Sequence, residues 1–244
     1  MRIFAKSDIG MAREKNEDYY YIPEKNEELN LCILADGMGG YNGGEIASKI
    51  AVESSKNYIK NNVSSIQMNK EGILKLLKEA VEYSNMMVYE KAKTDAKLSE
   101  MGTTMDVTLI IENKLFIGHV GDSRVYLIRK NEIKRITDDH SYVQKLIKDG
   151  KITEEEALTH PDKNMLVKAI GSSTFVEPDL IEVDLELKDI ILMCSDGLTN
   201  MLSDDEMVNI IQNKSSTKIE SLIDMANEHG GNDNITAIII ENNN

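Results

Sequence analysis

Three residues, Glu112-Asn113-Lys114, separate the apolar run Val107 to Ile111 from the next one, Leu115 to Val120. Four, Arg129-Lys130-Asn131-Glu132, separate Val125 to Ile128 from Ile133 to Ile136. Parallel neighbours need a crossover of about a dozen residues or more, so connections this short dictate antiparallel hairpins. Short β-branched runs at residues 31 to 35, 106 to 111, 115 to 120, 124 to 128, 180 to 185, 189 to 194 and 235 to 240 read as strands. Helical spacing runs from Glu45 to about Asn61, with Ile46, Ala47, Ile50, Ala51 and Tyr58 on one face. It returns from about Lys70 to Lys93, where Ile73, Leu77, Ala80, Val81, Ser84, Met87 and Val88 recur at i, i+3, i+4. Capping boxes announce three later helices: Thr153 with Glu156, Ser203 with Glu206, and Thr217 with Glu220. Strands and helices arrive in blocks, which predicts an α+β fold of layered antiparallel sheets rather than a doubly wound parallel one. Met68, Met86, Met87, Met101 and Met105 are expected to fill the core.

Composition narrows the function. The 244 residues contain no internal repeat or Pro/Gly/Ser-rich linker and only 3 prolines, so one large domain is expected. With 42 Asp and Glu against 28 Lys and Arg the net charge is −14, which disfavours direct reading of nucleic acid, since phosphate neutralisation needs a basic face. Aromatic residues make up 5% and Trp is absent, which argues against a base-stacking platform. No apolar run reaches the roughly 20 residues that span a bilayer, and residues 1–8 lack the apolar segment of a signal peptide. The expectation is a cytoplasmic protein that neither enters membranes nor reads nucleic acid. Cys32 and Cys194 sit inside apolar runs and read as buried, reduced thiols. His119, His140, His160 and His229 lack the spacing of a metal site, so any bound metal must be held by oxygen.

Four segments end an apolar strand in aspartate or open one after it: Ala35-Asp36-Gly37, Gly121-Asp122-Ser123, Ser195-Asp196-Gly197 and Asn232-Asp233-Asn234. Each alone is ordinary turn chemistry. Together, if the ends converge, the carboxylates repel unless they share protons or hold a cation, and hard oxygen ligands without His or Cys select Mg²⁺ or Mn²⁺. A second signal is Arg13, one of only five arginines, inside the compact polar segment Ser7 to Asp18. Its planar fork suits bidentate phosphate binding, while a surface pair with Glu14 or Glu17 is the plainer alternative. Arg124, two residues after Asp122, is expected to clamp a neighbouring carboxylate.

The order of motifs carries a resemblance. Ser7-Asp8-x-Gly10-x-x-Arg13-x-x-Asn16-Glu17-Asp18 is followed by Asp36-Gly37-Met38-Gly39-Gly40, then Gly44-Glu45-x-Ala47-Ser48 and Met101-Gly102-Thr103-Thr104. Gly121-Asp122-Ser123-Arg124, Thr137-x-Asp139-His140-Ser141, Ala169-Ile170-Gly171, Ser195-Asp196-Gly197-Leu198 and Asp233-Asn234-Ile235-Thr236 complete the series. From about residue 7 to 240 the chain resembles the bacterial metal-dependent Ser/Thr protein phosphatases of the type 2C (PPM) family.

That resemblance implies a single domain over residues 1–244, a four-layer α-β-β-α sandwich of two central antiparallel sheets flanked by antiparallel helix pairs, with a flap at 141–168. It implies two core Mn²⁺ or Mg²⁺ ions, with a weaker third site. Asp36 would bridge the core ions, the Gly37 carbonyl would bind the second, and Asp196 and Asp233 would complete the first site. Asp122, with Asp196, would match the third site, and Asp18 would act through metal-bound water. Arg13 would grip the substrate phosphate. The implied reaction is in-line attack on phosphoserine or phosphothreonine by a hydroxide bridging the metals, with no covalent enzyme intermediate. Implied partners are phosphorylated proteins, including a Ser/Thr kinase and its substrates, and the expected state is a monomer. Met38 and Tyr41 stand where relatives carry histidine, so no leaving-group acid is assigned, and His140 is expected to be structural. Alternatives are a phosphatase of small phosphoesters or of a phosphorylated sigma-factor regulator, and a binding module of the same fold without catalysis.

Overall fold

A strand such as Leu31-Cys32-Ile33-Leu34-Ala35, apolar at every position, is stable only when both of its faces are covered. The computed structural model, which describes residues 1–39, 43–213 and 217–243, covers both. One sheet has the order β1 (Arg2–Asp8), β11 (Ile235–Glu241), β10 (Ile190–Cys194), β7 (Arg124–Arg129), β8 (Glu132–Arg135). The other runs β2 (Asp18–Tyr21), β3 (Asn30–Met38), β5 (Met105–Ile111), β6 (Lys114–Val120), β9 (Asp179–Asp184), and the two-residue β4 (Gly102–Thr103) also pairs with β3. Every pairing is antiparallel, including the two hairpins foretold by the short connections.

The period-two alternation of each strand sorts its residues into separate cores. Cys32 and Leu34 of β3 meet Ile191 and Met193 of β10 and Ile238 and Ile240 of β11 between the sheets. The alternate residues Leu31, Ile33 and Ala35 pack against helices α1 (Gly44–Asn62) and α2 (Lys70–Thr94). On the opposite outer face, Leu192, Cys194, Ala237 and Ile239 pack against α6 (Asp204–Gln212) and α7 (Lys218–Glu228). Tyr58 of α1 donates to Glu79 of α2, and Ser84 of α2 donates to the earlier Ala51 carbonyl of α1, so the pair runs antiparallel. His229, just past the end of α7, stands by Glu206 in the first turn of α6, which gives the second pair the same sense. The order is helix, sheet, sheet, helix. Both cysteines are free and buried. Among the described residues no helix is long and apolar enough to cross a membrane.

Three local expectations change. Met101 and Met105 are buried, but Met68, Met86 and Met87 are exposed, because the latter two fall on the side of α2 turned from the sheet. The boxes at Thr153 and Ser203 form, whereas Thr217 makes no capping hydrogen bond to the helix it precedes. β1 and β2 are strands that the apolar-run pattern does not mark. Both lie at sheet edges, where exposed Arg2 and half-buried Lys6, Ser7 and Tyr19 are admitted.

Candidate active site

The strand register brings the acids to one end of the sandwich. Asp18 opens β2 and sits directly across from Asp36 near the end of β3. Asp36 follows Cys32 and Leu34 at intervals of two, so its carboxylate faces the space between the sheets. From the other sheet, β10 ends at Cys194, and Ser195 and Asp196 lead into the short helix α5 (Asp196–Thr199). Asp233 stands two residues before β11, and Asp122 lies in the connection from β6 to β7. Gly197 makes the approach possible: a Cβ there would lie 2.1 Å from the Asn234 carbonyl oxygen, so only glycine lets the turn after β10 pass against the entry to β11.

Hydrogen bonds tie the ends together across the sheets. The Ser195 hydroxyl donates to Asp18 Oδ2 at 2.8 Å and accepts from the Thr236 amide at 2.9 Å. The Asp36 carbonyl accepts from the Thr104 amide and the Thr103 hydroxyl, and the Asp36 amide donates to Thr104 Oγ1. Asn200 Nδ2 donates to Asp196 Oδ2 at 3.1 Å. The Gly37 amide donates to the Glu17 carbonyl, which also accepts from Ser48.

Electrostatics records the crowding. Burial, followed by the charges of Asp18, Asp196, Asp122 and Asp233, holds the Asp36 carboxyl well above the usual carboxylate range. Burial is also the leading cause that pushes Asp18 and Asp122 each up to about 7, with Asp196 adding to both. Asp196 is raised by burial and by Asp233. Among the described residues no three His, Cys, Asp or Glu side chains form a tight cage. The donor set nevertheless fits a hard divalent cation. It is all carboxylate and carbonyl oxygen, and Asp18 Oδ1 is buried without a hydrogen-bond partner.

Arg13 is exposed, and it pairs with an acid of this centre rather than with its near neighbours in sequence. Its Nη2 donates to Asp233 Oδ2 at 2.7 Å, not to Glu14 or Glu17. Asn234 holds the loop that carries it: Nδ2 donates to the carbonyls of Ile9 and Lys15, and Oδ1 accepts from the Glu17 amide. Arg124 is a clamp, bidentate on Asp139 at 2.9 and 2.7 Å, and so its partner is not Asp122. A cleft of about 420 Å³ runs from Asp122 and Asp196 beneath α3 (Tyr142–Lys148) and α4 (Glu154–Leu158). Gly40 and Tyr41, both part of the motif comparison, lie outside the described residues.

The sequence model of the family described as Protein phosphatase 2C matches residues 12–238. The chain belongs to that family. Protein phosphatase PhpP of Streptococcus pneumoniae strain R6 is 37% identical over 246 residues, covering 100% of this chain and 98% of its own. The serine/threonine phosphatase stp of Listeria monocytogenes serovar 1/2a is 36% identical over 238 residues, 97% of this chain and 94% of its own. Among solved structures, the serine/threonine phosphatase of S. agalactiae superposes with a TM-score of 0.89 at 36% identity, covering 98% of both chains. The catalytic domain of the serine/threonine protein phosphatase PstP, solved with 2 manganese ions, gives 0.83 at 33% identity, covering 98% of this chain and 96% of that one. This chain is therefore a metal-dependent serine/threonine protein phosphatase of the bacterial type 2C kind, a phosphoric monoester hydrolase.

Several residues that stand inside the quoted motifs shape the phosphatase site, although the sequence reading gives them no role. Glu17 has a raised pKa, first from burial, and lies within the fields of Arg13 and Asp233. Ser195, Thr236, Thr104 and Asn234 act through hydrogen bonds to residues far away in the chain, and no local spacing announces such partners.

Proposed function

We propose that this phosphatase hydrolyses phosphoserine and phosphothreonine in proteins by direct in-line displacement with water, at two core Mn²⁺ or Mg²⁺ ions held by Asp36, the Gly37 carbonyl, Asp196 and Asp233. When bound, the ions supply positive charge against the phosphoryl oxygens and lower the pKa of water. Asp122, with Asp196, offers a third, weaker position at the mouth of the cleft. Asp18 acts from behind the ligands: its Oδ2 is fixed by Ser195, which leaves Oδ1 directed for a further proton donor. Arg13 binds the phosphoryl oxygens with its guanidinium fork, which neutralises charge that grows toward the transition state. No cysteine takes part as a nucleophile. Cys194 is buried beside the centre, and burial drives its thiol pKa up, away from thiolate.

The observation that carries this reading is the delivery of carboxylates from four separate strand termini, and from the start of a fifth, to one end of the sandwich, with an unpartnered buried oxygen among them. We assign the chain to one domain over residues 1–244 with a flap at 141–168 that covers the cleft. Its substrates are phosphorylated proteins, including a Ser/Thr kinase whose action it opposes, and it works as a cytoplasmic monomer. Hydrolysis of para-nitrophenyl phosphate and of a phosphothreonine peptide with Mn²⁺ tests the reaction. Activity that chelation abolishes and Mn²⁺ restores is expected; turnover that survives exhaustive chelation refutes the oxygen-held metal centre.

A further inference from the structure

The flap leaves and rejoins the sandwich through two short roots that are hydrogen-bonded to each other. The Tyr142 amide donates to the Met165 carbonyl at 2.7 Å, and the Val167 amide donates to the His140 carbonyl at 2.8 Å. His140 also grips the segment that carries Asp122. Its own amide donates to the Gly121 carbonyl at 2.7 Å, and its Nδ1 accepts from the Gly121 amide at 3.1 Å. Both polar groups of one peptide residue are thus held by one histidine. Gly121 has little room to relax, with φ +115° and Thr104 so close that a Cβ would come within 2.5 Å of it.

The protonation state follows from the neighbours. Because Nδ1 accepts, the ring proton belongs on Nε2, which faces Asp179 Oδ1 at 3.2 Å with Lys168 alongside. His119 stacks on His140 with ring centroids 4.7 Å apart, and its own two nitrogens face acceptors, Asp106 Oδ1 at 2.7 Å and the Asp138 carbonyl at 3.0 Å. Burial works to lower the His119 pKa, yet the Asp106 charge and hydrogen bond leave it raised. Burial first, then the charges of His119 and Lys168, bring His140 down to about 4, so its acceptor persists at neutral pH.

We propose that His140 is a positioning residue whose Nδ1, by holding the Gly121 amide, fixes the Asp122 carboxylate to the root of the flap, so that flap and carboxylate move as one unit. This rests on reading Asp122 as a ligand of the third cation. The consequence is that cation affinity at Asp122 depends on a side chain that touches no cation.

Two near-isosteres separate the two faces of the ring. His140→Asn puts an amide oxygen where Nδ1 stands, keeping the acceptor and losing the Asp179 contact. His140→Gln reaches toward Asp179 and loses the acceptor. Amide hydrogen exchange over residues 118–124 and calorimetric Mn²⁺ titration of the weak site are the readouts, with exchange in β11 as the reference for global stability. His140→Gln is expected to speed exchange in 118–124 and weaken the third Mn²⁺ by about tenfold, as loss of one buried hydrogen bond implies. His140→Asn is expected to stay within about threefold of wild type in both. In an Asp122→Ala background, His140→Gln is expected to have no further effect on Mn²⁺ binding. Equal behaviour of the two variants, or unchanged exchange in His140→Gln, overturns the positioning role. A third Mn²⁺ that binds Asp122→Ala as tightly as wild type overturns instead the reading of Asp122, independently of what the exchange shows.

Discussion

Asp18→Asn exposes the energetic cost of assembling the acidic centre. Asp18 is buried, and burial with its acidic neighbours carries its pKa from 3.8 to about 7. A carboxyl raised this way binds more protons folded than unfolded, so stability falls as pH climbs from about 4 to 7 and stays lowered above that. The displacement is worth about 4 kcal/mol for the metal-free protein above pH 7. Asparagine cannot ionise and avoids this penalty, while its amide must still satisfy Ser195, so about 4 kcal/mol is an upper bound on the gain. For a chain of this size each kcal/mol moves Tm by about 2–4 °C. Urea unfolding of chelated wild type and chelated Asp18→Asn at pH 5 and pH 8 measures the effect. Wild type should be less stable at pH 8, and the variant should be flatter with pH and more stable than wild type at pH 8. Added Mn²⁺ should shrink the difference, because cations offset the same repulsion. A chelated variant less stable than chelated wild type at pH 8 refutes the argument, since Asp18 would then be stabilising as an anion.

Other outcomes follow from the same geometry. Asp36→Asn should abolish phosphatase activity and most Mn²⁺ binding while leaving the circular dichroism spectrum intact, and wild-type turnover would contradict the proposal that Asp36 holds metal. Arg13→Ala should mainly raise KM for a phosphopeptide; an unchanged KM would reduce Arg13 to a partner of Asp233. Gly197→Ala should cost several kcal/mol, on the order of the larger strain effects, and lower Mn²⁺ affinity by parting Asp196 from Asp233. A variant with wild-type Tm would show that the turn has room to shift.

How far the sequence reveals this molecule depends on what each residue answers to. β3, β5, β6, β10 and β11 are legible because both of their faces are buried, which forces mostly apolar runs. β1 and β2 are hidden because edge strands tolerate polar positions, so Lys6 and Asp18 interrupt the pattern. The aspartates stand out because a carboxylate at the end of a buried strand is costly without a purpose. Arg13 was singled out by rarity, but its partner Asp233 lies 220 residues on, a distance that no spacing rule covers. The role of Asn234 was invisible for the same reason: its side chain satisfies backbone groups of Ile9, Lys15 and Glu17, none of them near in sequence.

The register of β1 on β11 has a practical corollary. Arg2 pairs with Glu241 while Asp8 pairs with Ile235, which places residues 2 and 241 side by side at the end of the sandwich remote from the acids. The tight connection through Glu112-Asn113-Lys114 lies at that same remote end. A short linker could join residue 243 to residue 1 and the chain be reopened at 112–114 at little entropic cost. Such a circular permutant would leave every strand terminus at the acidic end undisturbed, and cargo fused at the new ends would project away from the catalytic mouth.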